Sequence, residues 1–511
     1  MTRLQSFFYQ EKTIYVFAIF ISIFCSINLA HRAGVINPDA ICYLLTAEKF
    51  GEASLPDVMH LCAQAKWPFY SILIYGFGTL TRLNFETAAY TLNAFFSLLS
   101  VIYFILIVKQ LGGSKRILWL AALTILFSHQ FNNVREYIIR DHGFWAFYLA
   151  SVFFLLQYFM EPRWRTAFAW NVSLIIATLF RIEGALYLMF LPLSTFFLPV
   201  FSFAKKIKIF LMLYALTITL LFFLGAYLLA KPHLTLDQLG RLSELAQQFQ
   251  QAFHLISKRY LEAKFNLSHH VLNPDSAKDA GLILILMILV WYVGSIIKNL
   301  SLGYFLLCFY SWQQNLLRWH LKHRLVIYGY LFLNILITSI FLLERFFLSK
   351  RYLIALSLIL MLFVPFALDA LIKKRSFLKH RALLITSSFL IIVTASTSVM
   401  NFYNSKFYMR AAGNWLANNI PAHALLYVND YQVMYYSKHF RAHFFRQVDQ
   451  YLADPAPENL DHYEYLAIRI HKNHIPQNYL SLTNFSQIKV FLNTRGDKVV
   501  IYKRNERNSY I

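Results

Sequence analysis

Long apolar runs recur along most of this chain, and they constrain its fold more than any other feature. Examples are TIYVFAIFISIFCSINLA at residues 13–30 and LFFLGAYLLA at residues 221–230. Only 14% of the 511 residues are charged, whereas a soluble globular chain is about one quarter charged. Runs of this length and composition are typical of membrane-spanning helices. The chain is therefore predicted to be a polytopic membrane protein whose first apolar run is a retained transmembrane helix.

The basic residues predict the orientation of the chain rather than a nucleic-acid partner. The formal net charge is +23, but the lysines and arginines lie in short clusters between apolar runs, such as Lys205, Lys206 and Lys208. Loops of this kind stay in the cytoplasm under the positive-inside rule. The charge therefore indicates topology and contact with anionic lipid, and it predicts a cytoplasmic N-terminus.

Alternating the spans so that basic loops stay inside predicts a mainly α transmembrane bundle of about 11 helices, or up to about 13 if the stretch 298–324 contains another pair. The spans are expected near residues 13–32, 86–109, 117–134, 143–160, 166–181, 184–202, 208–230, 281–297, 325–343, 352–372 and 382–400. The apolar segment 68–82 is short, so it is predicted to be interfacial or re-entrant. Two external segments follow from this topology, residues 33–85 and 231–280, and the second is predicted to contain an amphipathic helix from Leu236 to about Lys264.

The chain after Asn401 has the composition of a water-soluble domain. MRAAGNWLANNI predicts a helix that stops at Pro421, and four short apolar segments predict strands. The strands are expected at residues 424–428, 465–470, 488–492 and 498–502. The predicted organisation is thus a transmembrane module over 1–400 and a small external α/β domain over 401–511.

The segment Asn37-Pro38-Asp39 carries the first candidate functional residue. Asn37 as N-cap, Pro38 at N1 and Asp39 at N2 form a strong helix start. Asp39 is open to two interpretations, a carboxylate that complements the helix dipole or a catalytic base beside the membrane. Tyr43 lies one turn further on, on the face of Asp39, where its ring could stack on a sugar or a lipid.

The other end of the same external segment carries Lys66-Trp67-Pro68. A lysine that snorkels beside an interfacial tryptophan is one interpretation. A cation placed to meet a phosphate is the other. Cys42 and Cys62 share this segment, and a disulfide between them is possible.

The stretch Tyr137 to Asp141 lies between an outward and an inward span, on the side predicted for Asp39. Asp141 is open to two interpretations, a cap of the following helix whose local acids are neutralised by Arg135 and Arg140, or a second carboxylate of an active site. Arg181 and Glu183 are predicted to form a structural ion pair nearby.

A late loop, residues 344–352, is the most basic of the short loops predicted to face outward. The positive-inside rule disfavours basic residues on that side. Arg345 and Arg351 therefore indicate an anionic ligand.

These residues together resemble the GT-C superfamily of integral-membrane glycosyltransferases, and in particular the group of the lipid A aminoarabinose transferase and the protein O-mannosyltransferases. Three elements carry the resemblance: a P-D-x-x-x-Y pattern from Pro38 to Tyr43, a lysine–proline element before an apolar segment at Lys66, and a Y-x-x-x-D element from Tyr137 to Asp141. An R-Y pair, Arg351-Tyr352, and the tail GNWLANNIPAHALLYVNDYQVMYYS add to it. The chain departs from the pattern at two positions: Ala40 stands where many relatives have an acidic residue, and Phe69 stands where the pattern has a second proline.

The resemblance implies an enzyme that inverts the anomeric centre while moving a sugar from a polyprenyl phosphate to an acceptor hydroxyl. Its implied partners are that donor, a glycolipid, glycan or protein acceptor, and membrane lipids. The implied residues are Asp39 and Asp141 as catalytic groups; Lys66, Arg345 and Arg351 at the donor phosphate; and Tyr43, Tyr137 and Tyr352 at the substrates.

No cofactor is required by this logic, and dependence on a divalent metal stays open. The implied location is the bacterial inner membrane, with the C-terminal domain in the periplasm. Two other functions stay open, a lipid or glycan transporter or flippase and a non-catalytic relative. A transporter would place ionisable groups near the bilayer midplane on repeated halves, a pattern that the sequence does not show.

Overall fold

The structure, a computed structural model, describes residues 10–198, 201–230, 241–316, 320–400, 406–439, 460–472 and 484–505. The chain forms two compact units. Unit 1 comprises Met1–Ile27, Thr91–Arg135 and Arg140–Met400, and unit 2 comprises Asn28–Tyr90, Glu136–Ile139 and Asn401–Ile511.

The secondary structure is mainly helical. The α-helices of the described residues are α1 (Glu11–Arg32), α2 (Pro38–Lys49), α3 (Leu55–Met59), α4 (Phe69–Thr81), α5 (Phe85–Gln110), α6 (Lys115–Leu126), α7 (His129–Asn133), α8 (Asp141–Met160), α9 (Trp164–Phe180), α10 (Gly184–Phe190), α11 (Phe203–Ala230), α12 (Arg241–His270), α13 (Ala280–Leu300), α14 (Leu302–Gln313), α15 (Leu321–Arg345), α16 (Ile354–Met361), α17 (Val364–Lys373), α18 (Leu378–Met400), α19 (Phe407–Asn419) and α20 (Tyr431–Ser437). The strands are β1 (Leu426–Val428), β2 (Tyr465–Ile470), β3 (Phe485–Leu492) and β4 (Lys498–Arg504). Short 3₁₀ helices lie at Val134–Glu136, Leu191–Phe197, Pro274–Asp279, Lys350–Leu353 and Leu460–His462.

Seven helical segments within the described residues are long and apolar enough to cross a membrane, and the bent pair α16–α17 would make an eighth. The seven are Glu11–Arg32, Phe85–Gln110, Asp141–Met160, Phe203–Tyr227, Pro274–Leu300, Leu321–Arg345 and Leu378–Ser398. Apolar side chains cover the outside of several of them, as expected for surfaces that face lipid. The chain is therefore a multi-pass membrane protein, as the sequence predicts.

Several predicted spans are broken helices, for local reasons. The span expected at 117–134 ends at Leu126 and resumes as α7, because a polar SHQ stretch interrupts the apolar run. The span expected at 184–202 changes from α10 to a 3₁₀ helix at Leu191, where Pro192 has no amide hydrogen for an α-helical bond. A bend of 41° separates α16 from α17, whose second residue is Pro365. The short segment at 68–82 forms α4, and 298–324 contains α14.

The described part of the C-terminal region in unit 2 contains a four-stranded mixed sheet in the order β1-β2-β4-β3. β1 pairs with β2 in parallel, and β4 pairs antiparallel with both β2 and β3. Its core is formed by buried side chains such as Leu466, Ile468 and Val500. α19 and α20 approach closely at Gly413, where a Cβ would overlap Tyr436. All four predicted strands are present at or within a few residues of their expected positions.

Candidate active site

The helix that carries Asp39 is held at its start by an unusual use of the N-cap side chain. Asn37 occupies the N-cap position with extended backbone, as the sequence predicts, but its side chain makes no capping hydrogen bond. Its Oδ1 instead accepts a hydrogen bond from the Ile138 backbone nitrogen at 2.8 Å, and its Nδ2 donates to the Ile138 carbonyl at 3.3 Å. Both polar atoms of Asn37 therefore fix the start of α2 to the segment 136–139.

The Asp39 carboxylate is partly exposed and accepts a hydrogen bond from a neighbour in the same loop. Gln64 Nε2 donates to Asp39 Oδ1 at 3.0 Å. This bond orients the carboxylate. Gln64 was not among the residues predicted from the sequence. Its only sequence signal was its position two residues before Lys66.

The backbone just before Asn37 is held by α20 of the C-terminal region. The Ile36 amide donates to the Tyr436 hydroxyl at 3.1 Å, and Gln432 Nε2 donates to the Ile36 carbonyl at 3.3 Å. Both bonds are buried, so losing either would leave a buried polar group without a partner. Within unit 2, the chain that leads to Asp39 is therefore fixed by residues about 400 positions away.

The other predicted residues of unit 2 lie in different environments. Tyr43 is 4% exposed, and its ring packs edge-on against Tyr70 at 5.1 Å between centroids. Lys66 is exposed, and Tyr137 is 41% exposed. Unit 2 thus contains the predicted base, one predicted phosphate ligand and two predicted aromatic contacts.

A disulfide closes the loop that carries these residues. Cys42 and Cys62 are bonded across a separation of 20 residues. Closing a loop of this length stabilises the folded state by about 3 kcal/mol in the chain-entropy model. The bond joins α2 to the segment that contains Gln64 and Lys66.

In unit 1, Arg181 connects two carboxylates. Its Nη1 pairs with Asp141 Oδ1, while Nη2 lies 2.6 Å from Glu183 Oε1 and Nε lies 3.4 Å from Glu183 Oε2. The side chains of Arg181 and Asp141 are 10% and 3% exposed. The predicted Arg181–Glu183 pair is therefore present, and it forms a triad with a residue predicted to be catalytic.

A close approach of two helices brings the triad together. Asp141 begins α8, and Arg181 directly follows α9. At Gly143 a Cβ would overlap the ring of Phe180, so the absence of a side chain there lets the two helix ends come close. The sequence contained this signal as a glycine in the first turn of an apolar helix.

Burial and pairing act in opposite directions on Glu183, which lies in the turn between α9 and α10. Burial raises the pKa of the carboxyl, but the Arg181 guanidinium and its hydrogen bonds outweigh burial and hold the pKa below its usual value. Glu183 is therefore ionised at neutral pH. Arg181 then faces two negative charges.

The late basic loop places its two predicted arginines differently. Arg351 lies beside Tyr352, with its guanidinium carbon 5.5 Å from the ring centroid, and Arg181 lies over the same ring at 4.6 Å. Arg351 also interacts electrostatically with Asp141. Arg345 is exposed and lies 3.5 Å from Glu344. The structure therefore brings Asp141, Arg351 and Tyr352 together with Arg181, while Arg345 is paired with its neighbour.

An apolar groove lies beside this loop. Its volume is about 630 Å³, and its lining consists of Phe346 and side chains of α13 between Ile283 and Trp291. Asn299 at the end of α13 donates to the Lys350 carbonyl at 2.7 Å and accepts from Ser357 at 2.8 Å. The same loop is thus anchored to α13 and contributes to both the groove and the arginine cluster.

Arg135 does not act as a neutraliser of the local acids in the way that the sequence suggested. Its Nη1 donates to the Ser22 carbonyl at 2.9 Å and to the hydroxyls of Ser22 and Ser26 at 3.1 and 2.7 Å. The guanidinium also lies over the Phe131 ring at 4.9 Å. Arg135 therefore ties the loop before Asp141 to α1.

Among the described residues, no three His, Cys, Asp or Glu side chains are grouped so that they could hold a metal ion. The question of metal dependence stays a prediction.

These elements define the fold class predicted from the sequence, a polytopic helical module followed by a small α/β region. The structure is similar to the crystal structure of ArnT from Cupriavidus metallidurans bound to undecaprenyl phosphate, with a TM-score of 0.53, 11% sequence identity, and coverage of 97% of this chain and 98% of that one. The apo structure of the same protein has a TM-score of 0.41 at 14% identity, over 95% and 97% of the two chains. No family model and no curated protein matches the sequence. At this identity the similarity establishes the fold.

Proposed function

We propose that this protein is an inverting glycosyltransferase that moves a sugar from a polyprenyl phosphate to an acceptor hydroxyl. The observation that carries the proposal is the loop 346–352, which joins an apolar groove of about 630 Å³ to a cluster of arginines in unit 1. Phe346 and Arg351 are five residues apart, so at most about 18 Å of chain separates them. A ligand with an apolar tail and an anionic head matches these two features. The similarity to an ArnT structure that contains undecaprenyl phosphate supports the same ligand class.

The reaction is a single displacement. The acceptor oxygen forms a bond to the anomeric carbon while the bond from that carbon to the phosphate oxygen breaks, and the lipid phosphate leaves with the electron pair. The acceptor proton passes to the Asp39 carboxylate, which acts as general base. Cations stabilise the departing phosphate, and Lys66, Arg351 and Arg345 are the proposed contacts. One displacement inverts the anomeric centre.

Several residues position these groups. Gln64 orients the Asp39 carboxylate, and Asn37 fixes the helix start that carries it. Asp141 acts through Arg181, and Tyr352 supports the guanidinium of Arg351. Tyr43 and Tyr137 are proposed to contribute to the substrate surface of unit 2. This chemistry requires no cofactor, since the leaving phosphate is not a nucleotide diphosphate.

The proposed site faces the periplasm from a bacterial inner membrane, with the N-terminus in the cytoplasm and the C-terminal domain outside. The Cys42–Cys62 disulfide supports this orientation, because disulfides persist in oxidising compartments.

We expect Cys42 and Cys62 to resist alkylation by N-ethylmaleimide in denatured membranes until a reductant is added. Cys25 and Cys308, which are free thiols, are the internal controls because they should be alkylated without reduction. Peptide mass spectrometry measures both pairs in one sample. Alkylation of Cys42 and Cys62 before reduction would contradict both the bond and the external location.

The function is tested with purified protein, radiolabelled sugar on a polyprenyl phosphate, and extracted envelope lipids and proteins as acceptors. Mass spectrometry of envelope glycolipids and glycoproteins, with and without the gene, identifies the sugar and acceptor together. Transfer of label supports the proposal. Movement of an intact labelled lipid between leaflets without transfer would favour a flippase instead.

Lys66→Ala is expected to weaken use of the donor. Loss of a charge-assisted contact to phosphate, worth about 1.5–3 kcal/mol, should lower kcat/KM for the donor by about 10- to 100-fold, with the acceptor KM unchanged. The matched control is Lys49→Ala, which removes a lysine of the same loop that pairs with Glu52 at 2.7 Å. A changed acceptor KM with an unchanged donor dependence would assign Lys66 to the acceptor instead.

A further inference from the structure

The arginine cluster of unit 1 contains more positive than negative charge. Arg140, Arg181 and Arg351 interact electrostatically with Asp141, and Arg140 and Arg181 also interact with Glu183. Three guanidinium groups against two carboxylates leave one positive charge in excess. Arg181 donates hydrogen bonds to both carboxylates. The cluster is therefore suited to bind an additional anion.

Arg140 is more deeply buried than Arg351. It directly precedes α8 and is 9% exposed, and its Nη1 atom is buried without a hydrogen-bond partner among the described residues. Burying a donor of a charged group without a partner is unfavourable, because the donor loses its hydrogen bonds to water. A side chain kept at this cost is a candidate for binding a ligand.

We propose that Arg140 binds the phosphate of the substrate lipid, together with Arg351, and that Arg181 holds the two carboxylates away from that phosphate. The anionic phosphate, a diester in the sugar donor and a monoester in the released lipid, would neutralise the excess charge and accept a hydrogen bond from Nη1. The N-terminal end of α8, a helix of 20 residues, adds its favourable dipole at the same point. The identity of the lipid rests on the proposed function, whereas the phosphate chemistry rests on the cluster itself.

This assignment differs from the sequence prediction in one residue. Arg345 was predicted as a phosphate ligand, but its side chain is 56% exposed, with Glu344 and the Phe341 ring as its neighbours. Arg140 was predicted only to neutralise local acids. Arg140, which is buried and has an unused donor, is therefore proposed as a stronger phosphate ligand than the exposed Arg345.

The experiment measures binding of decaprenyl phosphate, decaprenol and inorganic phosphate to the detergent-purified full-length protein by microscale thermophoresis. We expect Arg140→Gln to lower the affinity for decaprenyl phosphate at least tenfold and to leave the weaker binding of decaprenol unchanged. Arg140→Lys keeps the charge but presents a single ammonium group in place of the guanidinium fork, so a smaller loss of about threefold to tenfold is expected. The matched control is Arg163→Gln, beyond the other end of α8, where the exposed arginine pairs with Glu161.

The outcomes separate this inference from the proposed function. Unchanged decaprenyl phosphate affinity in both variants, or in Arg140→Lys if Arg140→Gln does not fold, overturns the inference even if the wild-type protein transfers sugar. Equal losses for decaprenol and decaprenyl phosphate also overturn it, because the residue would then support the fold rather than bind phosphate. Binding of inorganic phosphate that depends on Arg140, without binding of the lipid, supports the phosphate site and contradicts the proposed function.

Discussion

Asp39→Asn is expected to lower kcat for sugar transfer by about 100- to 10,000-fold, the range that a general base contributes. The amide cannot accept the acceptor proton, but it has nearly the same shape as the carboxylate. Its oxygen can still accept the hydrogen bond that Gln64 donates to Asp39 at 3.0 Å. The variant should therefore fold normally and bind the lipid phosphate as the wild-type protein does.

The measurement compares three quantities in the same preparation: kcat, the unfolding midpoint and the affinity for decaprenyl phosphate. The matched control is Asp57→Asn, which neutralises a carboxylate of the same segment, residues 33–85, that accepts a hydrogen bond from Ser54. Only Asp39→Asn should lose turnover. Retained transfer by this variant would show that Asp39 is a helix-dipole residue, the other interpretation of its position at N2.

Much of the fold could be predicted because its signals are local. The apolar runs predicted the long helices, since a helix that faces lipid must carry apolar side chains along about 20 residues. Alternating or short apolar segments predicted the four strands of the C-terminal region. The breaks after Leu126 and at Leu191 were missed, because membrane helices tolerate polar residues and proline when neighbouring groups satisfy the backbone.

The candidate site was less predictable because its contacts join distant residues. Asp141 and Arg181 are 40 residues apart, and nothing in the local pattern of either residue indicates the other. Their pairing depends on Gly143, which lets α8 and α9 approach. Arg135 was expected to neutralise acids, whereas it binds two serines of α1. The sequence shows how many charged residues a segment has, but it does not show which residues they contact.

The hydrogen bonds of the segment before Asp39 also join residues that are far apart in the sequence. The sequence predicts Asn37 at the N-cap position, and it is there. Its side chain binds Ile138 instead of the helix backbone, and Tyr436 and Gln432 hold the preceding residue. Local chemistry thus predicted the position of the helix start, and only the tertiary structure shows that the C-terminal region helps to fix it.

Arg181→Leu is expected to have the largest effect on stability of any single change in the described part of unit 1. Leucine cannot pair with Asp141, which is 3% exposed, or with Glu183. Removing one partner of a buried ion pair costs about 3–5 kcal/mol, because the remaining charge is left without compensation. Sugar transfer should be lost as well, since two carboxylates without Arg181 would repel the anionic phosphate of the donor.

The control for this change is Arg116→Leu, because Arg116 also pairs with a buried carboxylate, Asp369, at 2.5 Å. Asp369 keeps a second partner, Lys373 at 2.8 Å, so Arg116→Leu should lower the stability clearly less than Arg181→Leu. Unfolding midpoints of the two variants are compared in one detergent.

The double variant Arg181→Leu/Asp141→Asn should recover part of the lost stability, because it removes the more buried of the two unpaired charges. The double-mutant cycle measures the coupling between Arg181 and Asp141. If Arg181→Leu lowers the unfolding midpoint by no more than Arg116→Leu does, the triad is not an isolated buried ion cluster. Its carboxylates must then be compensated by Arg140 and Arg351, and those arginines would not be available to a phosphate.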